Sequence, residues 1–107
     1  MMEQNVKAMT ACPDCHLKNT PRDEKELKRL QNRLNRIVGQ LNGVSRMLEE
    51  NRYCGDVLIQ IAAIESALQS FGHEVLKSHM ETCVVEEIQK GNTEVIAETA
   101  ELIKKLK

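Results

Sequence analysis

Apolar residues recur at intervals of three and four along a first long stretch of the chain, residues 21–50. They fall at Leu27, Leu30, Leu34, Ile37, Leu41, Val44 and Leu48. This spacing places them on one face of an amphipathic helix. Thr20 is the expected N-cap, and Pro21 suits the first helical position because no hydrogen bond needs its missing amide proton there. The pattern predicts a helix from Pro21 to Glu50.

A second stretch, residues 54–89, carries a broader apolar face. Its members are Val57, Leu58, Ile61, Ile64, Leu68, Phe71, Val75, Leu76 and Val84. The segment "ENRYCGD" separates the two stretches: Asn51 can end the first helix, Gly55 bends the chain and Asp56 can cap the second helix. No proline follows Pro21, so no proline ring interrupts the second helix.

The segment "KGNT" ends the second helix, with Gly91 as the stop and Asn92 or Thr93 as the next cap. A short third helix is expected from Thr93 to Lys107. Residues 1–19 lack periodicity and are expected to form a flexible tail, whereas residues 20–107 form a single helical domain. No stretch shows the alternation of a strand, so the sequence predicts an all-α fold of two long helices and one short helix.

Composition adds an expectation about assembly. The chain has 107 residues, 41% of them hydrophobic, but its only aromatic residues are Tyr53 and Phe71. A chain this short leaves much apolar surface exposed unless its helices pack very well or copies associate, and the sequence favours a homo-oligomer. No apolar run is long enough for a membrane span and no secretory signal is visible, which predicts a cytoplasmic protein. In that reducing compartment the four cysteines are better candidates for metal-binding or redox-active residues than for structural disulfides.

His79 and Cys83 lie four residues apart, so they are neighbours on one helical face and can share a metal ion. Cys54 precedes Cys83 by 29 residues, which is ~43 Å along a continuous helix. One ion cannot bridge that distance, so Cys54 must come from a second copy packed antiparallel across a twofold axis. Two thiolates and one imidazole, with no evident fourth ligand, favour Cu(I) over zinc.

Alternatives remain open at this point. The two cysteines could be small buried hydrophobic residues and His79 a surface histidine. A cytosolic copper or zinc buffer would use the same three ligands without DNA. In the tail, "CPDCH" at residues 12–16 matches a haem-attachment pattern, but no export signal precedes it. Cys12, Cys15 and His16 could instead form a secondary metal-capturing arm or stay unligated.

Positive charge is concentrated in the first helix. Between Lys25 and Arg36 there are five cations and one anion, although the whole chain has a net charge of −1. Such a basic stripe suggests a polyanionic partner. The first candidates for DNA contacts are Lys28, Arg29, Arg33 and Arg36, and the second candidates are Arg46 and Arg52. Because no helix-turn-helix pattern is visible, phosphate contacts and DNA shape are expected to dominate.

No feature of the sequence suggests an enzyme, since paired carboxylates, a nucleophile elbow and a phosphate-binding glycine loop are not recognisable.

Two segments, "RLNRIVGQLNGV" at residues 33–44 and "YCGDVLIQIAAIESAL" at residues 53–68, resemble the copper-sensitive operon repressor family. These are small, all-helical, metal-sensing bacterial repressors, and the resemblance covers residues 24–106. It implies that Cys54, His79 and Cys83 occupy the three sensing positions of the copper type. The nickel and cobalt type has a histidine in place of the later cysteine, and the persulfide-sensing type, which stays an alternative, lacks the histidine.

The resemblance also implies a mechanism. Family members form a dimer of dimers that binds operator DNA when metal-free, represses copper-efflux genes and releases DNA on Cu(I) binding. Copper-type members support their ligands with a tyrosine and a glutamate: Tyr53 matches the first, and Glu94 and Glu98 are both candidates for the second. A copper chaperone is a further candidate partner.

Overall fold

The structure, a computed structural model, describes Lys18 and residues 20–106, and every regular element in that part of the chain is helical. The elements are α1 (Glu24–Glu49), α2 (Cys54–His79), a π-helical segment (Met80–Val84), α3 (Val85–Gln89) and α4 (Glu94–Lys105). The π segment joins α2 to α3, so residues 54–89 form the long second helix. The all-α prediction of two long helices and one short one is therefore confirmed.

The first helix begins three residues later than predicted. Asp23, not Thr20, is the N-cap of α1, and its carboxylate accepts a hydrogen bond of 2.7 Å from the backbone N–H of Glu26. An aspartate side chain at this position satisfies a free amide and places negative charge at the positive end of the helix. The hydroxyl of Thr20 donates instead to the carboxylate of Glu86 on α3. The predicted Thr20 cap and the helical start at Pro21 are thus wrong.

The turn between α1 and α2 depends on Asn51, whose φ of 56° lies in the left-handed region. Asparagine tolerates this conformation better than most residues, which explains why the helix ends there as predicted. Tyr53 occupies the N-cap position of α2 without a side-chain cap bond. Asp56, the predicted cap, lies in the first turn of α2, where its charge suits the positive helix end.

Helices α1 and α2 form an antiparallel hairpin. Two contacts establish the register: Arg29 reaches Glu74, and Arg33 reaches Ser70. The buried apolar residues of the hairpin are Leu30 and Ile37 from α1 and Val57 and Ile64 from α2. Many other apolar side chains stay accessible, among them Leu58 at 64% and Ile59 at 65% exposure.

The long second helix is continuous, as predicted. Backbone angles at both ends of the π segment are right-handed helical: φ and ψ are −59° and −44° at His79 and −61° and −45° at Val85. At ~1.5 Å per residue, residues 54–89 would span ~54 Å. The longest dimension of the molecule is 56 Å, so this helix sets its length.

Gly91 ends the long helix with a φ of 89°, a conformation that glycine adopts without strain. Thr93 is then the N-cap position of α4, while the side chain of Asn92 accepts the hydrogen bond from the Glu94 N–H at 3.2 Å. Val95 and Thr99 are the buried residues of α4. Just after the end of α4, the side chain of Leu106 packs against Gly72. A Cβ added to Gly72 would lie 2.7 Å from Cδ2 of Leu106. Within the described residues, no helix is long and apolar enough to cross a membrane.

Candidate metal centre and nucleic-acid face

His79 is the last residue of α2, and Cys83 lies one turn further on, within the π segment. The Nε2 atom of His79 is buried and has no hydrogen-bond partner among the described residues. A buried imidazole nitrogen without a partner is costly, and histidine is the commonest metal ligand in proteins, so this nitrogen is a candidate metal ligand. Cys83 is a half-buried free thiol. These two residues therefore fit the pair of neighbouring ligands that their spacing predicts.

Both side chains border one cavity of about 490 Å³ between the long second helix and α4. Most of its wall is apolar, and the residues that line it are Phe71, Gly72, Val75, Leu76, Leu102 and Leu106. Three cations, Lys18, Arg22 and Lys105, complete the wall. The cavity thus offers a thiol and an imidazole in largely apolar surroundings.

Cys54 is exposed at the other end of the long helix, as the first residue of α2. In the part of the chain that the structure describes, no group of three His, Cys, Asp or Glu side chains within one subunit could hold a metal ion. The structure therefore brings His79 and Cys83 together but keeps Cys54 apart from them within a single chain.

The residues expected to support the ligands are also distributed between the two ends of the subunit. Tyr53 precedes Cys54 and is 76% exposed, with its ring folded over Gly55, where a Cβ would collide with it. Glu94 and Glu98 are exposed on α4. The residues of α4 that border the cavity beside His79 lie further along the helix, from Leu102 onward. One subunit therefore does not place either glutamate in the wall around His79.

Cys83 has a partner that the sequence did not reveal. The Lys18 ammonium donates hydrogen bonds to the Cys83 sulfur at 3.1 Å and to the Thr82 hydroxyl oxygen at 3.2 Å. The Thr82 hydroxyl in turn donates to the backbone carbonyl of Ser78 at 2.8 Å. Lys18 belongs to the stretch expected to be a flexible tail, and nothing in its local pattern predicts a contact with residues more than sixty positions away.

On α1, two predicted DNA contacts are engaged within the chain. Arg29 and Arg33 form ion pairs with Glu74 of α2 at 2.9 Å and 3.3 Å. The hydrogen bond from Arg29, together with the charges of Arg29, Arg33 and Lys77, lowers the pKa of Glu74 below its ordinary value of 4.5. These arginines remain partly exposed, at 49% and 33%, so the pairs are expected to be weak and exchangeable.

The sequence does contain a signal for the Glu74 contact. In an antiparallel hairpin whose turn centres on residues 51–52, facing positions have numbers that sum to about 103. Arg29 with Glu74, and Arg33 with Ser70, satisfy that sum.

The other predicted DNA contacts are exposed. Lys28, Arg36 and Arg46 lie on the surface of α1, and Arg52 lies in the turn, 3.8 Å from Glu50. Arg46 and Arg52 border the same shallow depression. The tail residues Cys12, Cys15 and His16 lie outside the described residues.

Comparison with known proteins gives consistent matches. Residues 26–105 match the protein family described as metal-sensitive transcriptional repressor. The copper-sensing transcriptional repressor CsoR of Bacillus subtilis is 38% identical over 85 residues, which are 78% of this chain and 84% of that protein. The copper-sensing transcriptional repressor RicR of Mycobacterium tuberculosis is 46% identical over 59 residues, 55% of this chain and 62% of that protein.

Two solved structures are similar in fold. The copper-sensing repressor CsoR with Cu(I), from Geobacillus thermodenitrificans, is 41% identical, with a TM-score of 0.78 over 84% of this chain and 95% of that chain. The nickel-responsive transcriptional regulator InrS is 37% identical, with a TM-score of 0.66 over 82% of this chain and all of that chain.

Proposed function

Since the chain belongs to the family of metal-sensitive transcriptional repressors, we propose that it is a Cu(I)-responsive repressor that binds operator DNA when metal-free and releases it on binding Cu(I). The observation that carries the proposal is the buried, unpartnered Nε2 of His79 one helical turn from the thiol of Cys83. This family is a class of regulators, not of enzymes.

The donor set decides which metal is sensed. Cys54, His79 and Cys83 would supply two thiolates and one imidazole, which are soft ligands that favour Cu(I). The relatives named as copper-sensing support the same choice. A nickel sensor is a less suitable interpretation, because by the resemblance it would carry a histidine at position 83.

Assembly completes the site. The continuity of the long second helix separates Cys54 from Cys83 by ~43 Å, so Cys54 of one subunit is proposed to meet His79 and Cys83 of its partner in an antiparallel dimer. The exposed apolar side chains, such as Leu58 and Ile59, would give the two subunits a surface to bury. A dimer of dimers follows from the resemblance.

The DNA face is proposed to lie on α1. Lys28 and Arg36 are free to contact phosphates, and Arg46 and Arg52 extend the positive surface. Arg29 and Arg33 would exchange the Glu74 carboxylate for phosphate oxygens. Because these contacts are mainly electrostatic, operator affinity should fall steeply as salt rises.

Coupling between the two sites requires that Cu(I) affinity differ between two arrangements of the helices. The ligands lie on the long second helix, and Glu74 on that same helix holds the arginines of α1. A change in the placement of the long helix would therefore move the groups that position these arginines. Tyr53 and one of Glu94 and Glu98 are proposed to support the ligands from outside, and a copper chaperone is a candidate source of the ion.

A gel-shift experiment with DNA from upstream of the protein's own gene tests the proposal under anaerobic conditions. The wild-type protein should bind without metal and dissociate when stoichiometric Cu(I) is added. His79→Asn should keep its metal-free affinity but lose most of the response, because it removes the imidazole ligand. His73 is an exposed histidine on the same helix. His73→Asn is therefore the matched control and should release DNA on Cu(I) as the wild type does. No metal-free binding, or an unchanged response in His79→Asn, would refute the proposal.

A further inference from the structure

We propose that Gly55 is a positioning residue of the metal centre, because its missing side chain gives the Tyr53 ring a place against the first turn of α2, next to Cys54. The link to metal binding rests on the proposed function, in which Cys54 is a ligand and Tyr53 supports it. The position of the ring itself does not depend on that function. The segment "YCG" then acts as one unit, in which the glycine seats the tyrosine that precedes the ligand.

The start of the helix holds the backbone of Tyr53 in place. Tyr53 is the N-cap residue of α2, and its carbonyl accepts hydrogen bonds from the N–H of Asp56 at 3.0 Å and of Val57 at 3.2 Å. Its side chain makes no capping hydrogen bond. The main chain therefore determines where the side chain begins, and the contacts of the ring determine which rotamer it adopts.

The ring lies in the space that a side chain at position 55 would occupy. A Cβ added to Gly55 would collide with Cε2 of the Tyr53 ring, and it would lie 3.1 Å from Cδ2 and 3.2 Å from Cζ. Carbon atoms in ordinary contact are ~3.5–4.0 Å apart. Any residue other than glycine at position 55 would therefore displace the ring from the helix.

The backbone of the helix gives no separate reason for a glycine at this position. Gly55 is the second residue of α2 and, unlike Gly91, it does not adopt a positive φ. Alanine is compatible with such a backbone and is the better helix former. A weaker helix former therefore stands where the Tyr53 ring needs the space, which assigns the glycine to the ring and not to the turn.

The position of the ring matters because it lies at the surface that the proposed dimer joins. Tyr53 is 76% exposed and Cys54 is exposed beside it, so this end of the subunit presents a ring and a thiol together. In the proposed dimer it meets the end of the partner that carries the other two ligands. A ring that is already held in place loses less rotamer freedom when the site forms, which favours binding. Gly55 thus increases Cu(I) affinity through Tyr53.

Fluorine NMR of the full chain tests the position of the ring. The chain contains one tyrosine, so a fluorotyrosine label reports on Tyr53 alone. Gly55→Ala should move its resonance towards the value in the urea-unfolded chain, because the ring leaves the helix. Gly39→Ala is the matched control, since Gly39 is also helical and a Cβ added there meets nothing within 4 Å. A Tyr53 resonance that Gly55→Ala leaves in place, or that Gly39→Ala moves equally, would overturn the inference.

Competition with a chromophoric Cu(I) chelator tests the role in metal binding, using wild type, Gly55→Ala, Tyr53→Ala and the double variant. Gly55→Ala should bind Cu(I) severalfold more weakly than wild type. In the Tyr53→Ala background the same substitution should have no effect, because it acts through the ring. An equal loss in both backgrounds, or wild-type affinity in Gly55→Ala, would overturn the inference. Failure of the wild type to take up Cu(I), with the fluorine shift intact, would refute the proposed function and not the position of the ring.

Discussion

Glu74 illustrates how a single residue links the two halves of this molecule. It lies on the helix that carries His79 and Cys83, five residues before His79, and its carboxylate contacts Arg29 and Arg33 of α1. Two of the arginines proposed to contact phosphate therefore already hold an anion within the chain.

The Glu74 ion pairs predict a pH dependence of stability. Because the pKa of Glu74 is lower in the folded chain than its ordinary 4.5, the ionised form is favoured by folding. The stabilisation is fully present above the ordinary value and is lost as pH falls through the lowered one. Thermal unfolding should therefore show that Glu74→Gln is less stable than wild type at pH 7, and that the difference shrinks as pH falls below 4.5. Glu65→Gln, on an exposed position of α2, should show no such difference, and a constant gap for Glu74→Gln would contradict the assignment.

At the scale of elements, the long second helix is the feature on which the metal site depends. Its continuity through the π segment keeps Cys54 away from Cys83, while His79 and Cys83 remain neighbours across that segment. Its end is equally well defined, because Gly91 reverses the chain and lets α4 fold back along the cavity wall. The cavity therefore requires both a helix that does not break and a turn that stops it.

The turn after α3 predicts a mutational effect. Gly91→Ala should destabilise the fold by about 1 kcal/mol, because alanine resists the left-handed conformation that glycine adopts freely. Asn51→Gly, at the other left-handed position, is the matched control and should not destabilise by that mechanism. Denaturant unfolding of both variants provides the measurement. A loss in Asn51→Gly equal to that in Gly91→Ala would show that the backbone conformation is not the cause.

At the scale of the whole molecule, one subunit is incomplete in two respects. Among the described residues only Leu30, Ile37, Val57, Ile64 and Val95 are buried apolar side chains, and the candidate ligands lie towards opposite ends of a molecule 56 Å long. An antiparallel dimer would resolve both, because it would cover apolar surface and bring the start of one long helix to the end of the other.

Mixing two defective variants tests the shared site. Cys54→Ser and Cys83→Ser should each bind Cu(I) poorly alone, yet a refolded mixture should recover tight binding at one site in each mixed dimer. Cu(I) titration against a chelator measures the recovery. A mixture of His79→Asn with Cys83→Ser is the control, since both variants damage the same end and no mixed dimer holds a full set. Recovery in neither mixture would mean that the ligands are not shared as proposed.

The sequence alone predicted the two long helices, their ends at Asn51 and Gly91, and the candidate ligand pair His79 and Cys83, because periodicity, capping and four-residue spacing are local properties of the chain. Only the tertiary structure decided which residues meet across elements. The contacts of Lys18 with Cys83 and of Thr20 with Glu86 depend on how α1 and the residues before it dock onto the long helix, and with Thr20 engaged there Asp23 serves as the cap. The first two contacts join residues more than sixty positions apart, and local pattern carries no information on docking geometry. Glu74 was partly predictable. The position of the turn gives the register of the hairpin and so places Glu74 opposite Arg29, but only the packed helices show that the ion pairs form.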